Sequence, residues 1–498
     1  MNVNPITRLD YPDPDVIRVE DTYYMVSTTM HFMPGCEILQ SFDLVNWEHA
    51  TYVYETLDHT DAQQLKSGQN IYGQGMWAAS LRYHEGRFCI CFVANDTRKT
   101  YLYTSEKIDG PWKKQLIEGF YHDGSLLFDE DGRNYIVYGN DEIWITELNE
   151  DLTAPKKDGL HRLLVSDHKN PKLGYEGSHI QKINGYYYIF LVHSLRDRWM
   201  RTEACFYSDS LEGEFTGGDV LCDDRGYCGQ GVAQGGIVDT PDGKWYAMLF
   251  QDSGAVGRIP ILLPVTWKDH FPFFGQNGHV PEEIEVHSTR PGYIYQPLVG
   301  SDDFCNGLLP RWQFNHDPDP RYYHLDALQG TYTITTREVC TELTQAVNTL
   351  TQRMSYPSCA AEVTVDASAL KEGDVAGLCA FQGCYAAVGI TKHHGKYEVL
   401  MLDKKEDGIL DMTEGTVVES HQMDFRLEAD FCNMKDEARC YYRVNKGDWL
   451  PIGTVHKLYF KLDHFTGCRF GLFCYAAEET GGSACFRDFK YYDVDEIS

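Results

Sequence analysis

Short apolar segments that alternate with polar residues at every second position dominate the first 270 residues. Each leads into a turn rich in Gly, Asp, Asn or Glu that is followed by aromatic residues, and this theme begins at residues 21, 85, 131, 184 and 242. Alternation with period two predicts β-strands, and turn residues between two such runs predict hairpins. Repeats of about 40–50 residues built from short strands are typical of β-propellers, in which each repeat forms one blade. The pattern therefore predicts a five-bladed β-propeller.

The repeat theme stops near residue 270, and residues 281–300 form a proline-containing transition. From Asp302 onward short alternating segments continue without a repeat, for example at 330–336 and 457–462. Several non-repeating strands over about 190 residues predict a β-sandwich. We therefore expect an all-β protein with a propeller domain at residues 1–300 and a β-sandwich of the jelly-roll, concanavalin-like type at residues 301–498.

One position in each repeat is expected to face the centre of the propeller. Eight residues before the five turns, the sequence has Asp13, Trp77, Asp123, Glu176 and Gln234. Because the first strands of the blades line the central channel, equivalent positions at their starts converge at one mouth. A lone Asp or Glu at such a place is usually a turn residue, but a shared offset on three blades favours a functional cluster.

Two Asp and one Glu at one mouth suit the hydrolysis of a glycosidic bond. One carboxylic acid protonates the leaving oxygen, and one carboxylate activates water or attacks the sugar. A third carboxylate keeps the acid protonated near neutrality, because like charges disfavour a second ionisation. Trp77 would supply an apolar wall for a sugar ring. The partner expected on these grounds is a small oligosaccharide.

Charge and composition narrow the class of partner further. The net charge of −30 argues against nucleic acid and against an anionic membrane surface, since both would be repelled. The N-terminal residues lack the basic and apolar regions of a signal peptide, and no apolar run is long enough to span a membrane. The sixteen Cys occur without CxxC pairs, which is typical of reduced, buried thiols and not of a zinc site. These features predict a cytoplasmic protein.

Four ordered motifs resemble glycoside hydrolase family 43, a family of β-xylosidases and α-L-arabinofuranosidases on five-bladed propellers. The motifs are Tyr11-Pro12-Asp13-Pro14-Asp15, Met76-Trp77-Ala78-Ala79-Ser80, His122-Asp123-Gly124-Ser125 and Tyr175-Glu176-Gly177-Ser178. The similarity spans roughly residues 4–290. The second half also resembles the β-sandwich appended to many of these enzymes, as at 348–353, 373–378 and 478–482.

The resemblance implies a role for each candidate residue. Asp13 would be the general base, Glu176 the general acid, and Asp123 the residue that raises the pKa of Glu176 and orients it. The family inverts configuration, so the carboxyl groups of Asp13 and Glu176 should lie about 6.5–9.5 Å apart. The other implied substrate contacts are Arg258, which would hold a sugar hydroxyl or form a salt bridge, and Met30 and His31, which would wall the cavity or pack in the core.

One position departs from the family pattern and bears on metal binding. Many relatives have a His on the fifth blade near the propeller centre, whereas this chain has Gln234. A metal held by imidazole is therefore not expected there. No cofactor is predicted to be required; a structural calcium ion is compatible with the sequence but is not predicted.

The expected activity is the exo-acting, inverting release of terminal xylose or arabinofuranose from hemicellulose-derived oligosaccharides. Three alternatives stay open: an endo-acting arabinanase of the same fold, a non-catalytic sugar-binding propeller and a protein-interaction propeller. An intact set of Asp13, Asp123 and Glu176 counts against the two non-catalytic alternatives. The sequence is compatible with a monomer or a homo-oligomer.

Overall fold

The computed structural model describes residues 2–167, 169–413 and 415–493, and these residues are almost entirely β-structure. Helical geometry in the described residues is limited to four short 3₁₀ turns: Lys66–Gly68, Gly254–Val256, Leu343–Gln345 and Cys432–Met434. In this part of the chain, no helix has the length and apolarity needed to cross a membrane. The predicted five-bladed propeller followed by a β-sandwich is confirmed.

Five four-stranded antiparallel sheets form the blades, each built from strands that are consecutive within the propeller. Blade I contains Asp15–Val19, Thr22–Ser27, Gly35–Ser41 and Glu48–Tyr54. Blade II contains Met76–His84, Arg87–Ala94, Lys99–Ser105 and Lys113–Ile117. Blade III contains Ser125–Phe128, Asn134–Asn140, Glu142–Leu148 and His161–Ser166. Blade IV contains Glu176–Ile183, Tyr186–Ser194, Arg201–Ser208 and Thr216–Leu221, and blade V contains Val232–Asp239, Trp245–Asp252, Arg258–Lys268 and Phe271–Phe274.

The innermost strands of the five blades contact one another in a closed ring. Asp15 begins the innermost strand of blade I and connects it to other members of this ring. Its carboxylate bonds Arg82 Nη1 at 2.7 Å and His179 Nδ1 at 3.1 Å. Arg82 also donates to the carbonyl oxygens of Leu126 and Ile180, so it links four blades through partly buried hydrogen bonds. Asp15 therefore helps to hold the innermost strands of blades I, II and IV together.

The sandwich consists of two antiparallel sheets whose facing apolar side chains form one continuous core. The first sheet has, in order, Leu410–Met412, Lys396–Lys404, Ala386–His393, Asp374–Phe381, Arg469–Ala476, Leu350–Arg353, Gln313–Asn315 and Phe32–Met33, with Thr416–Val418 pairing to Lys396–Lys404. The second sheet has Tyr323–Asp326, Thr331–Thr335, Ser483–Asp493, Ser358–Asp366, Gln422–Asp430, Glu437–Val444 and Leu450–Lys457.

The two domains share secondary structure. Phe32–Met33 leaves blade I and pairs with Gln313–Asn315, which makes it the edge strand of the first sandwich sheet. Asn2–Val3 pairs with Glu283–Ile284, in the segment between the last blade strand and the sandwich. Residue 300, the predicted boundary, lies in that same connecting segment. The propeller and the sandwich are therefore joined by backbone hydrogen bonds as well as by packing.

Candidate active site

A cavity of about 650 Å³ lies at the mouth of the propeller where the innermost strands begin, and the sandwich covers part of it. All five of the positions predicted to converge line this cavity, and so does Arg258. Residues of the sandwich, including Phe460 and Phe465, line it from the other side. The cavity is thus built by both domains.

The predicted equivalence of the five positions is only approximate. In each blade, one residue of positive φ lies at or near the start of the innermost strand. In blades I, III and V this residue is Asp13 (52°), Asp123 (49°) and Gln234 (64°), respectively. In the other two blades the equivalent residues are Ala78 (29°) and Gly177 (65°), so Trp77 and Glu176 lie one position earlier. Blades I, II and IV all have two-residue hairpin loops, but the offset is counted from the second loop residue in blade I (Asp21) and from the first in blades II and IV (Glu85 and Asn184), which shifts the register by one residue.

Asp13 is held from two sides near the bottom of the cavity. Its Oδ2 accepts a hydrogen bond from Thr28 Oγ1 at 2.6 Å, and its Oδ1 accepts one from Arg258 Nη1 at 3.0 Å. Thr28 Oγ1 also accepts a hydrogen bond from the Ala78 backbone N–H at 2.9 Å, which connects blades I and II. With 7% of its surface exposed, Asp13 has one fixed orientation.

Arg258 connects Asp13 with the sandwich. Its Nη2 donates to the Phe465 carbonyl oxygen at 3.4 Å, and its guanidinium carbon lies 4.3 Å from the centroid of the Phe465 ring. Arg258 is 2% exposed; it lines the cavity and forms a buried salt bridge with Asp13. A planar guanidinium suits this arrangement because it can hydrogen-bond and stack at the same time.

Three ionisable groups lie side by side at the opposite wall. His122 Nε2 is 3.6 Å from Asp123 Oδ2 and 3.6 Å from Glu176 Oε2. Asp123 Oδ2 also accepts the Gly177 backbone N–H at 2.9 Å, and Glu176 Oε2 accepts Asn140 Nδ2 at 2.7 Å. Each carboxylate therefore accepts a hydrogen bond from a neutral donor, and the His122 imidazole lies close to both carboxylates.

This proximity shifts the pKa of two of the groups. The negative charge of Asp123 is the main cause that raises the pKa of His122 to about 9, against the opposing effect of burial. Burial raises the pKa of Asp123 to about 6; His122 opposes this rise, and Glu176 and Asp13 add to it. The ionisation of each of these groups therefore depends on the charge of its neighbours.

The same cluster is the group of residues in the described chain that could accommodate a metal ion. One ligand atom from each of His122, Asp123 and Glu176 lies within 4.8 Å of the other two, and His122 Nε2 has no hydrogen-bond partner among the described residues.

Gln234 lines the same cavity and makes a backbone contact with a buried carboxylate. Its backbone N–H donates to Glu203 Oε2 at 2.7 Å, and burial raises the pKa of Glu203 well above its usual range.

Trp77 forms an apolar wall, as predicted from its position. Its ring centroid lies 5.4 Å from that of Phe465 and 6.2 Å from that of His122. Its indole Nε1 is buried and has no hydrogen-bond partner within the described parts of the chain. An aromatic face that lines a cavity is suited to a sugar ring.

Met30 and His31 do not line the cavity. They are 1% and 0% exposed, and the His31 ring packs against Phe32, Tyr72 and His316 where the two domains meet. The expectation that they wall the cavity is therefore wrong, and the alternative of core packing describes them. The physical reason is that the chain after Met30 turns away from the mouth to pair with the sandwich.

Sequence reasoning missed three residues that shape the site. His122 precedes Asp123 directly, so its proximity to the cluster could have been inferred from that adjacency. Asn140 ends the second strand of blade III, beside the start of blade IV, and its contact with Glu176 needs the blade geometry. Phe465 is 207 residues from its partner Arg258, and no local pattern predicts that contact.

The family comparisons cover both domains. Residues 3–272 match the model for "Glycosyl hydrolases family 43", and residues 301–492 match "Beta xylosidase C-terminal Concanavalin A-like domain". A "Beta-xylosidase" from Formosa agariphila is 26% identical over 554 residues, covering 99% of this chain and 89% of that protein. The "Non-reducing end alpha-L-arabinofuranosidase BoGH43B" from Bacteroides ovatus is 24% identical over 432 residues, covering 82% of this chain and 79% of that protein.

A solved structure from Bacteroides eggerthii, described as "Bifunctional GH43-CE", has a TM-score of 0.92 and 42% sequence identity to this chain. The match covers 99% of this chain but only 64% of the length of that protein. A family 43 enzyme engineered to display both endo-xylanase and exo-arabinofuranosidase activity has a TM-score of 0.86 and 27% identity, with 99% of each chain covered. Because the family model matches more than half of the chain, the chain belongs to glycoside hydrolase family 43.

Proposed function

We propose that the protein is an exo-acting, inverting glycoside hydrolase that releases terminal xylose or arabinofuranose from hemicellulose-derived oligosaccharides. The observation that carries the proposal is the arrangement of Asp13 and Glu176 on different walls of one cavity, each oriented by its own donors. Relatives named as a β-xylosidase and as an α-L-arabinofuranosidase support both sugars.

In the proposed reaction, Asp13 removes a proton from water while the water attacks the anomeric carbon. Glu176 gives its proton to the glycosidic oxygen, and the bond to the leaving group breaks with inversion of configuration. Arg258 and Thr28 orient Asp13, whereas Asn140 and the Asp123–His122 pair orient Glu176. A separation of about 6.5–9.5 Å between the carboxyl groups of Asp13 and Glu176 leaves room for the water. The proposed reaction uses no cofactor.

Exo action is supported by the burial of the deep end of the cavity. Arg258 and Trp77 both contact Phe465, all three line the cavity with Asp13, and Arg258 and Phe465 join the propeller to the sandwich. A closed end accepts the terminus of a chain, whereas an endo-acting enzyme needs a groove that is open at both ends.

The test is hydrolysis of nitrophenyl β-xyloside and nitrophenyl α-L-arabinofuranoside by wild type and by Glu176→Ala. We expect wild-type activity on at least one of these substrates. With xylobiose or an arabinofuranosyl disaccharide, whose sugar leaving group needs a proton that nitrophenolate hardly needs, kcat should fall about 10²–10⁴-fold in the variant, the usual contribution of a general acid. Glu130→Ala, which alters an exposed hairpin carboxylate, is the matched control and should keep full activity. Inactivity of wild type on both nitrophenyl substrates, or full activity of Glu176→Ala on the disaccharide, would show the proposal to be wrong.

Two further measurements test the stereochemistry of the reaction and the exo action separately. NMR of the first sugar released from a β-xyloside should show the α-anomer, because inversion changes the configuration; initial release of the β-anomer would exclude inversion. Digestion of xylotriose and of linear arabinan oligosaccharides should release monosaccharide from chain ends. Internal fragments would favour the endo-acting arabinanase alternative.

A further inference from the structure

Trp199 is a large apolar side chain at the mouth of the catalytic cavity, where it stays 46% exposed. It belongs to the loop between the second and third strands of blade IV, Tyr186–Ser194 and Arg201–Ser208. The deep residues of the same cavity are far less exposed, with Asp13 at 7% and Arg258 at 2%. The cavity therefore has a buried polar end and a mouth that presents an aromatic ring to solvent.

The loop that bears Trp199 is fixed to the segment that leads into Glu176. Ser194 N–H donates to the Leu173 carbonyl oxygen at 3.0 Å, and the Leu173 N–H donates to Ser194 Oγ at 3.0 Å. Leu173 lines the cavity three residues before Glu176. Trp199 and Leu173 thus belong to the side of the cavity that holds the proposed general acid.

The indole of Trp199 is held in place from one side. The guanidinium carbon of Arg201 lies 5.4 Å from the ring centroid, and Arg201 is itself fixed by a 2.9 Å bond from its Nε to Asp252 Oδ2. A cation over one face of an indole is attracted to the ring and orders it. A ring that is backed in this way and still half exposed offers its other face to a ligand.

We propose that Trp199, together with Leu173, forms the binding subsite for the sugar that leaves in the reaction, and that this sugar is a pyranose. The inference rests on the proposed function, because the acid protonates the oxygen that departs with the leaving sugar, which must therefore lie on the acid's side. A pyranose has an apolar face of C–H groups that stacks on an aromatic ring. Leu173 supplies a second apolar surface at the same place.

The test compares one substrate that has a leaving sugar with one that lacks it. kcat/KM is measured for xylobiose and for methyl β-xyloside with wild type, Trp199→Ala and Trp199→Phe; if wild type prefers arabinofuranosides, arabinofuranosyl-xylobiose and methyl α-L-arabinofuranoside are used. We expect Trp199→Ala to reduce kcat/KM for the disaccharide about tenfold and to change it less than about twofold for the methyl glycoside. Trp199→Phe should recover part of the loss.

Phe273→Ala is the matched control, since Phe273 is 49% exposed on the outermost strand of blade V and does not line the cavity. It should leave both substrates unaffected. Equal losses on both substrates with Trp199→Ala, or no loss on either, would overturn the subsite while leaving the proposed function intact. If wild type hydrolyses neither substrate, the proposed function is wrong and the subsite falls with it.

Discussion

At the scale of single residues, His122 is the least expected member of the site. Its imidazole lies 3.6 Å from one carboxylate oxygen of Asp123 and 3.6 Å from one of Glu176. The folded protein therefore favours its protonated form, with a pKa of about 9, chiefly because of Asp123 and despite burial. A histidine whose folded pKa is raised stabilises the protein fully below its unfolded pKa of about 6.5, and this contribution is lost as the pH rises through about 9.

The variant His122→Gln tests this reasoning, because Gln is close to His in size but does not titrate. At about pH 7.5 we expect wild type to be more stable than the variant by on the order of 1–2 kcal/mol. At about pH 10 the difference should be nearly gone, because wild-type His122 is then neutral. The measurement is Tm against pH for both proteins.

His84→Gln is the control for His122→Gln, since His84 is an exposed histidine on the hairpin of blade II. Its difference in Tm from wild type should be small. A difference for His122→Gln that stays constant from about pH 7.5 to pH 10 would contradict the charged state inferred for His122.

At the scale of elements, the site depends on how each innermost strand begins. Four non-glycine residues there adopt positive φ, a conformation that costs free energy and tends to occur at functional sites. Gly177 is the fifth member of this set, with φ of 65°, and its N–H donates to Asp123. A Cβ at Gly177 would lie 2.8 Å from Gln234 Cγ and 3.1 Å from Val192 Cγ1. The start of blade IV therefore has no room for a side chain.

Gly177→Ala and Gly185→Ala form a matched pair within blade IV. Gly185 has φ of 84° in the hairpin, and a Cβ there would meet no atom within 4 Å. Both variants incur the backbone cost of about 1–2 kcal/mol, but only Gly177→Ala adds overpacking of about 1–3 kcal/mol. We expect Gly177→Ala to have the lower Tm and to lose kcat, because Glu176 and Asp123 move. Equal kcat for the two variants would show that the start of the strand does not position the acid.

The sequence predicts those parts of this site that repeat. Period-two alternation and recurring turns give the number of blades, and the offset from each turn gives Asp13, Asp123 and Glu176. The offset is inexact because the turn motif begins at the second hairpin residue in blade I but at the first in blades II and IV. Arg258 and Phe465 meet across two domains, and Met30 and His31 turn away from the cavity into the domain interface. Such contacts depend on tertiary packing, which local patterns do not contain.

At the scale of the whole molecule, the sandwich helps to line the cavity that contains Asp13 and Glu176. The Asp10 side chain joins the two domains beside this cavity. Its Oδ1 accepts the Arg258 N–H at 2.7 Å, and its Oδ2 accepts the Gly467 N–H at 2.7 Å. Gly467 approaches blade V so closely that a Cβ would lie 2.1 Å from the Val256 carbonyl oxygen. Both segments that Asp10 holds also lead directly to cavity residues, namely Arg258 and Phe465.

Asp10→Asn tests whether this joint also positions the site. Asn has one acceptor oxygen, so one backbone N–H would face an NH₂ group and stay unsatisfied in a buried place, at a cost of about 1.5–3 kcal/mol. We expect a lower Tm and, at temperatures where the variant is folded, a reduced kcat, because Arg258 no longer holds Asp13 in place. Asp131→Asn, on an exposed hairpin, should change neither quantity. If Asp10→Asn lowers Tm but keeps the wild-type kcat, the joint stabilises the two domains without orienting Asp13.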